Sequence, residues 1–453
     1  MGAIGFIGFG EVNSPREMLE EKIAAAKERL MKKGLEVYDG GLVTDDIDRK
    51  EAAAAVERLR DKKFDALIIC LAGWVPSYAV IRTADHFKEL PMVLWGLCGS
   101  YNEKGRLVTT AEQAGTSALR RPMQELGFQF QYVYDTTDGI CGENEMMSYL
   151  ELISAKNRLK TAKALSVGYR DMNLYGTMYD GIKLKKYTGI EVEQLEMLEL
   201  VQRAEKTDKT QEQEILRKIR ENWCFDGVPA SDEILLTGIR YYLALKDVIV
   251  KYGYKGITIN DVDGMKKLLG FPPSMIFMLL AQELGVCTVP ENDVMGSAMQ
   301  LIIKELTGQI GLYLEFYEFF KDRVLMGVPD YVPNQVVDGP LTVKATKFGL
   351  LDSCVLNISK IKTGTVTLCR LFNSGEGYGM HIALAEATEP RWWEEAGWDD
   401  PAPQLSSLEM VMNERTASFT DNIMSQHYIV TYGDQTKLLS DYCRSCGIDV
   451  LMV

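Results

Sequence analysis

The chain has 453 residues, 46% of them hydrophobic, and its 50 Lys and Arg against 64 Asp and Glu give a net charge of −14. That length suffices for about three domains of ~150 residues each. The acidic balance argues against a general nucleic-acid or anionic-membrane binder, while leaving room for a small basic pocket. No apolar run approaches the ~20 residues of a spanning helix. The opening MGAIGFIGFGE lacks the basic region and cleavage site of a secretory signal and reads as a first strand. Nine cysteines, mostly in apolar runs, read as free thiols of a reducing cytosol, so a cytoplasmic location is expected. Only three histidines exist, His86, His381 and His427. Any metal site must therefore lean on carboxylates, which favours manganese or magnesium over zinc.

Residues 1–160 read as alternating strands and helices. Residues 3–8, 35–38, 66–71, 92–97 and 128–134 are the strands. Ser14-Pro15-Arg16-Glu17 has the form of a capping box that starts a helix ending at Gly34. Continuous apolar strands separated by amphipathic helices predict a parallel sheet covered on both faces. Ligands of such sheets sit beyond the carboxyl ends of the strands. Arg16 lies in the first of these loops and Trp74 in the third. Trp74 reads either as an anchor packed on its own domain or as a platform for a sugar ring. The opening GFIGFGEVN imitates a dinucleotide fingerprint, but aligned on Gly8 and Gly10 the third glycine falls on Asn13, so the motif fails.

Residues 161–335 read as a second α/β unit. Its strands are 164–167 and 257–260, its helices 191–206, 210–221, 234–251 and 265–284, the last interrupted by Pro272-Pro273. Residues 260–264 form an acidic turn containing Asp261, without the terminal Glu of a calcium loop. Residues 336–453 change character: short Thr- and Val-rich runs split by Gly and Ser predict antiparallel β structure, in a barrel or sandwich. Trp392, Trp393 and Trp398 cluster in a loop-like segment. Cys443-Arg444-Ser445-Cys446 is a lone C-x-x-C in the last turn of a helix, which is weak evidence for redox or zinc chemistry. The fold class is thus α/β: two doubly wound, Rossmann-like domains (1–160 and 161–335), then a C-terminal antiparallel barrel-like domain (336–453).

One stretch, residues 289–320, carries the chemistry. Glu291, Asn292 and Asp293 follow Pro290. Met295, Met299, Ile302, Ile303 and Leu306 then share one helical face, and Gly308 ends that helix. The strand-like run 310–320 holds Glu315 among Leu314, Phe316 and Tyr317. A carboxylate in so apolar a strand needs a partner, and a hard divalent cation is one. Alternation puts Glu315 on a face with Tyr313 and Tyr317 and turns Glu318 the other way. The plainer reading, an acid at a strand end facing water, stands beside it.

A P-E-N-D segment before a helix, an acid in an apolar strand beyond it, a terminal β domain, and H-Y-I-V-T-Y-G-D before a last helix together resemble the L-fucose isomerase / L-arabinose isomerase superfamily. The resemblance implies that Glu291, Glu315 and His427 bind a divalent ion, manganese or else magnesium or cobalt. It further implies a homo-oligomer, a hexamer or trimer, with active sites at subunit interfaces. There Arg16 and Trp74 of a neighbour would reach the substrate, with Asp261, Trp392, Trp393 and Trp398 as rim candidates. The second acid is Glu315 where fucose isomerases carry aspartate, and His381 poorly matches the additional histidine of arabinose isomerases, so the sugar is open. The superfamily also includes isomerases of modified sugars such as sulfoquinovose, and an anionic sugar would find Arg16 or Arg170.

The implied reaction moves a proton between C2 and C1 of a sugar through an ene-diol. It needs a metal that polarises two oxygens and a carboxylate on each side. Glu291 and Glu315 fill both roles, with His427 as a ligand only. Two other readings stay open: a sugar-binding or regulatory protein of the same fold, and an NAD(P)-dependent oxidoreductase using the first strand and loop.

Overall fold

Apolar strands flanked by amphipathic helices build the first sheet as expected. A computed structural model describes residues 2–329, 331–348, 351–391 and 406–453. They fall into two units, 1–157 and 158–453. In the first, five strands pair in the order Glu36–Val43, Ala3–Phe9, Ala66–Leu71, Met92–Gly96, Phe130–Tyr134, all parallel. Helices cover both faces. Leu19, Ile23 and Leu30 of the helix Arg16–Lys32 pack with Phe6, Ile68 and Val93. Leu59, Val80 and Leu119 pack with Ile7, Ile69 and Leu94 on the other side. A Cβ on Gly8 would lie 2.2 Å from the Ile23 side chain, and one on Gly10 2.6 Å from Leu19. These two glycines let the first helix close onto the first strand. The expected capping box does not form: Pro15 is the N-cap, no side chain caps the helix, and the Ser14 hydroxyl reaches Glu11 at 3.5 Å instead.

The second unit holds two larger sheets. One is parallel, ordered Cys287–Val289, Gly256–Ile259, Lys163–Val167, Glu191–Leu195. Glu191–Leu195 corrects the expected helix 191–206, which begins only at Met197. This strand is at the sheet edge, where charged residues are favoured and mimic an exposed helix; Glu191 pairs with Lys185 and Glu193 with Lys163. The acidic turn after Gly256–Ile259 is a π-helical turn, Asp261–Lys266. The backbone N–H groups of Asp261, Val262 and Asp263 donate to the Asp171 carboxylate at 3.1, 2.8 and 2.8 Å. After a break at Gly270 and the two prolines, the helix resumes as Ser274–Leu284.

The other large sheet is mixed. Its order is Gly364–Ser374, His427–Tyr432, Leu312–Phe319, Arg323–Gly327, Ser407–Val411, Gly377–Thr388, Asp449–Met452, and Gly364–Ser374 pairs additionally with Gly377–Thr388. The expectation of a purely antiparallel C-terminal sheet is corrected at its last strand, which runs parallel to residues 379–382. A smaller three-stranded sheet joins Cys224–Phe225, Thr342–Phe348 and Leu351–Asn357. The helix Val294–Thr307, buried over its first ten residues and closed by Gly308 in the left-handed region, follows the last strand of the parallel sheet. No helix among the described residues is long and apolar enough to cross a membrane.

Candidate metal centre

Two elements of the mixed sheet bring two of the candidate ligands together by register alone. Leu312–Phe319 and His427–Tyr432 are antiparallel neighbours, and Glu315 stands directly opposite His427. Opposed residues share a face. Tyr313, two residues before Glu315, is on that face too, and its ring stacks on the His427 imidazole at 4.6 Å and 23°. A bulge between Phe316 and Glu318 shifts the register, and Glu318 is exposed, outside the group.

The third ligand comes from the carboxyl edge of the parallel sheet. Beyond Val289 the chain adopts two consecutive left-handed residues, Glu291 (φ 59°) and Asn292 (φ 45°). Non-glycine residues reach this region only when their surroundings impose it. Asn292 shows how. Its backbone N–H donates to Ile259 O at 2.7 Å, and its amide donates to Tyr169 O at 2.7 Å and Gly168 O at 3.3 Å. Its amide oxygen accepts from Ser166 Oγ at 2.9 Å. The turn is thereby pinned to the ends of the next two strands of the sheet, Gly256–Ile259 and Lys163–Val167, and it aims Glu291 at His427.

His427 Nε2 lies 3.4 Å from Glu291 Oε2 and 3.4 Å from Glu315 Oε2. One donor atom from each of the three residues lies within 4.8 Å of the others, and among the described residues this is the one such group of His, Cys, Asp or Glu. The His427 side chain is fully buried, Glu291 is nearly so, and Glu315 is 25% exposed. Burial alone would lower the His427 pKa, but the carboxylates of Glu291 and Glu315 outweigh it and push the imidazole up to about 9. A ring nitrogen between two carboxylates thus holds a proton where a cation would otherwise sit. Donors 2.0–2.1 Å from one octahedral ion are about 3 Å apart, so the observed spacing needs only small side-chain adjustments. Two carboxylate oxygens suit a hard divalent cation, and one imidazole nitrogen is compatible with it. The group can therefore hold a metal ion.

Behind the ligands lies a fully buried ion pair that the sequence reading missed. Arg370 donates from Nη1 and Nη2 to the two oxygens of Asp293, the second at 3.2 Å, and from Nη2 to Gly176 O at 3.0 Å. Neither side chain has any exposure. Burial would raise the Asp293 pKa, but Arg370 holds it below the usual carboxylate range. Asp293 also caps the helix Val294–Thr307 through Gly296 N–H at 2.9 Å and accepts the Tyr313 hydroxyl at 3.0 Å. The signal was present: a lone arginine inside the apolar strand GTVTLCRLFNS demands a buried partner.

Within the same unit, His381, Asp261 and Arg170 have other partners. His381 is buried, its Nδ1 paired with Tyr428 OH at 2.7 Å and its ring stacked on Phe419. Tyr428 follows His427 on the strand and so faces the other side of the sheet. Burial lowers the His381 pKa to about 4. Asp261 is buried beside Lys266, at 3.3 Å. Arg170 lies over the exposed ring of Tyr175 at 5.5 Å. In the first unit, Arg16 is ion-paired with Glu20 and Glu51 at 2.8 and 2.7 Å, and Trp74, 39% exposed, donates its backbone N–H to Thr110 O. Cys443 and Cys446 end the helix Thr436–Cys446, both as free thiols. Trp392, Trp393 and Trp398 lie outside the described residues. No protein-family model matches the chain, and no curated protein does.

Proposed function

We propose that the chain is a divalent-metal-dependent aldose–ketose isomerase, akin to the L-fucose isomerase / L-arabinose isomerase superfamily. Its substrate would be a hexose, a deoxyhexose or a modified sugar such as sulfoquinovose. The observation that carries the reading is the convergence of Glu291, Glu315 and His427, from three separate elements, on one small volume. Charge supports a divalent ion. Arg370 neutralises Asp293, so Glu291, Glu315, a neutral His427 and one divalent cation leave no net charge in the buried group.

Glu291 and Glu315 would hold the ion through oxygen and His427 through Nε2. When bound, the ion supplies Lewis-acid polarisation of adjacent sugar oxygens. The chain's own residues do the rest. The two carboxylates would flank the substrate carbons: one takes the proton from C2 and gives a proton back at C1, and the other moves the hydroxyl proton from O2 to O1, so that both end as they began. Glu315 has most of the group's exposure, so a sugar would enter from its side. The mixed sheet reads further as a barrel, because the ladder between Gly364–Ser374 and Gly377–Thr388 joins strands from opposite parts of its order. Arg16 and Trp74 would serve the site of a neighbouring copy in a homo-oligomer.

The test is deuterium exchange at C2, followed by NMR in D2O on protein stripped of metal and reloaded with manganese. The panel is L-fucose, D-arabinose, L-arabinose, L-rhamnose, and 6-sulfonated and 6-phosphorylated glucose. Metal-dependent exchange with one sugar is expected. No exchange with any sugar and no manganese binding would overturn the proposal.

A further inference from the structure

A metal-binding histidine is ordinarily oriented by a hydrogen bond that its second ring N–H donates to a carboxylate, a carbonyl or water. At His427 no described residue plays that part. Its Nε2 faces Glu291 and Glu315, but its buried Nδ1 has no hydrogen-bond partner among the described residues. What fixes the imidazole plane is the Tyr313 ring, stacked on it at 4.6 Å. Tyr313 is itself held: its hydroxyl donates to Asp293 at 3.0 Å, and Asp293 is clamped through both oxygens by Arg370. All four side chains are buried.

We infer that Tyr313 is the positioning residue of the metal centre: it orients His427 by stacking, and Asp293 and Arg370 act on the histidine through it. The inference rests on the metal-binding reading of Glu291, Glu315 and His427. The ring plane is set by an aromatic neighbour that is itself anchored by a charged pair at its far end. The ring and the hydroxyl have separable duties: the ring sets the imidazole plane, and the hydroxyl sets the ring.

The experiment compares manganese affinity, by calorimetric titration of the full chain, in wild type, Tyr313→Phe, Tyr313→Trp, Tyr313→Leu and Tyr313→Met. Outer-shell substitutions typically cost 10–100-fold in metal affinity, so Leu and Met should each lose about thirtyfold. Phe, which keeps the ring but not the anchor, should lose about threefold to tenfold, and Trp should fall between Phe and Leu. A simple packing role would not separate aromatic from aliphatic side chains of similar burial. Met gives a second aliphatic test should Leu fail to fold, and Phe is small enough a change to be read in any case. Leu or Met variants within twofold of wild type would overturn the inference while leaving the metal site standing. A wild-type chain that binds no manganese would overturn both.

Discussion

Glu315 stands on a regular antiparallel ladder, opposite His427 and fixed by backbone hydrogen bonds it shares with the whole strand. Glu291 stands on two consecutive left-handed residues, fixed by the side chain of its neighbour Asn292. Both carboxylates come equally close to His427 Nε2. The first position is cheap, since any sequence that keeps the register keeps it. The second is held against a local conformational preference by four hydrogen bonds to the ends of two strands. One half of the site should therefore tolerate change around it, and the other should not.

The comparison can be broken most severely at the ligands themselves. Glu291→Gln and Glu315→Gln should each lower manganese affinity at least about a hundredfold, more than an outer-shell change does. Metal-free melting should stay near wild type for Glu315→Gln above pH 9, where the His427 proton that its charge helps to hold is already lost. Unchanged titration isotherms would remove that residue from the ligand set. Arg370→Met comes next. It leaves Asp293 buried without its counter-charge, where Asp293 joins the turn, the helix cap and Tyr313. Breaking such a pair costs about 3–5 kcal/mol, to be read by urea denaturation. A loss under 1 kcal/mol, on that same scale, would mean that Asp293 is not buried as a carboxylate.

Acidity sharpens the contrast between the empty and the loaded group. The His427 pKa is raised from 6.5 to about 9 by Glu291 and Glu315 against burial. A raised pKa gives stability that is complete below the unfolded value and is lost as pH climbs through the folded one. Metal-free protein should thus lose up to about 3 kcal/mol between pH 6.5 and 9, and His427→Gln should flatten that slope. Manganese displaces the same proton, so its apparent affinity should rise over the same interval. A pH-independent affinity would contradict the placement of the proton. The smallest effect distinguishes Asn292→Ala from Asn292→Gly. Both lose the side-chain hydrogen bonds, but only alanine keeps the left-handed penalty, about 1 kcal/mol or slightly more. Equal denaturation midpoints would show that the turn carries no strain.

Strand alternation was enough to place Glu315 with Tyr313 and away from Glu318, and helical spacing with a closing glycine was enough for residues 294–307. Both are local signals with short periods. The turn geometry at Glu291 and Asn292 was hidden, because the hydrogen bonds that impose it come from residues 166–169 and 259. Arg370 was conspicuous but its partner was hidden for the same reason: Asp293 is 77 positions away. The edge strand Glu191–Leu195 was hidden differently, since its charges satisfy an exposed helix as well as an exposed edge. The parallel last strand of the mixed sheet has no local mark at all, because direction is set by the path of the chain and not by side chains.

The strand His427–Tyr432 is inserted between Leu312–Phe319 and Gly364–Ser374, two strands made well before it. During synthesis, both would present unpaired edges toward the gap it later fills. Such long-range pairing is slow to form because loop closure must precede its reward. The nascent protein therefore cannot use a metal ion as a folding nucleus, since one donor arrives with the strand that completes the sheet. An ion held by this group would lock the finished structure, and refolding from denaturant with manganese should show unfolding slowed and the folding rate unchanged.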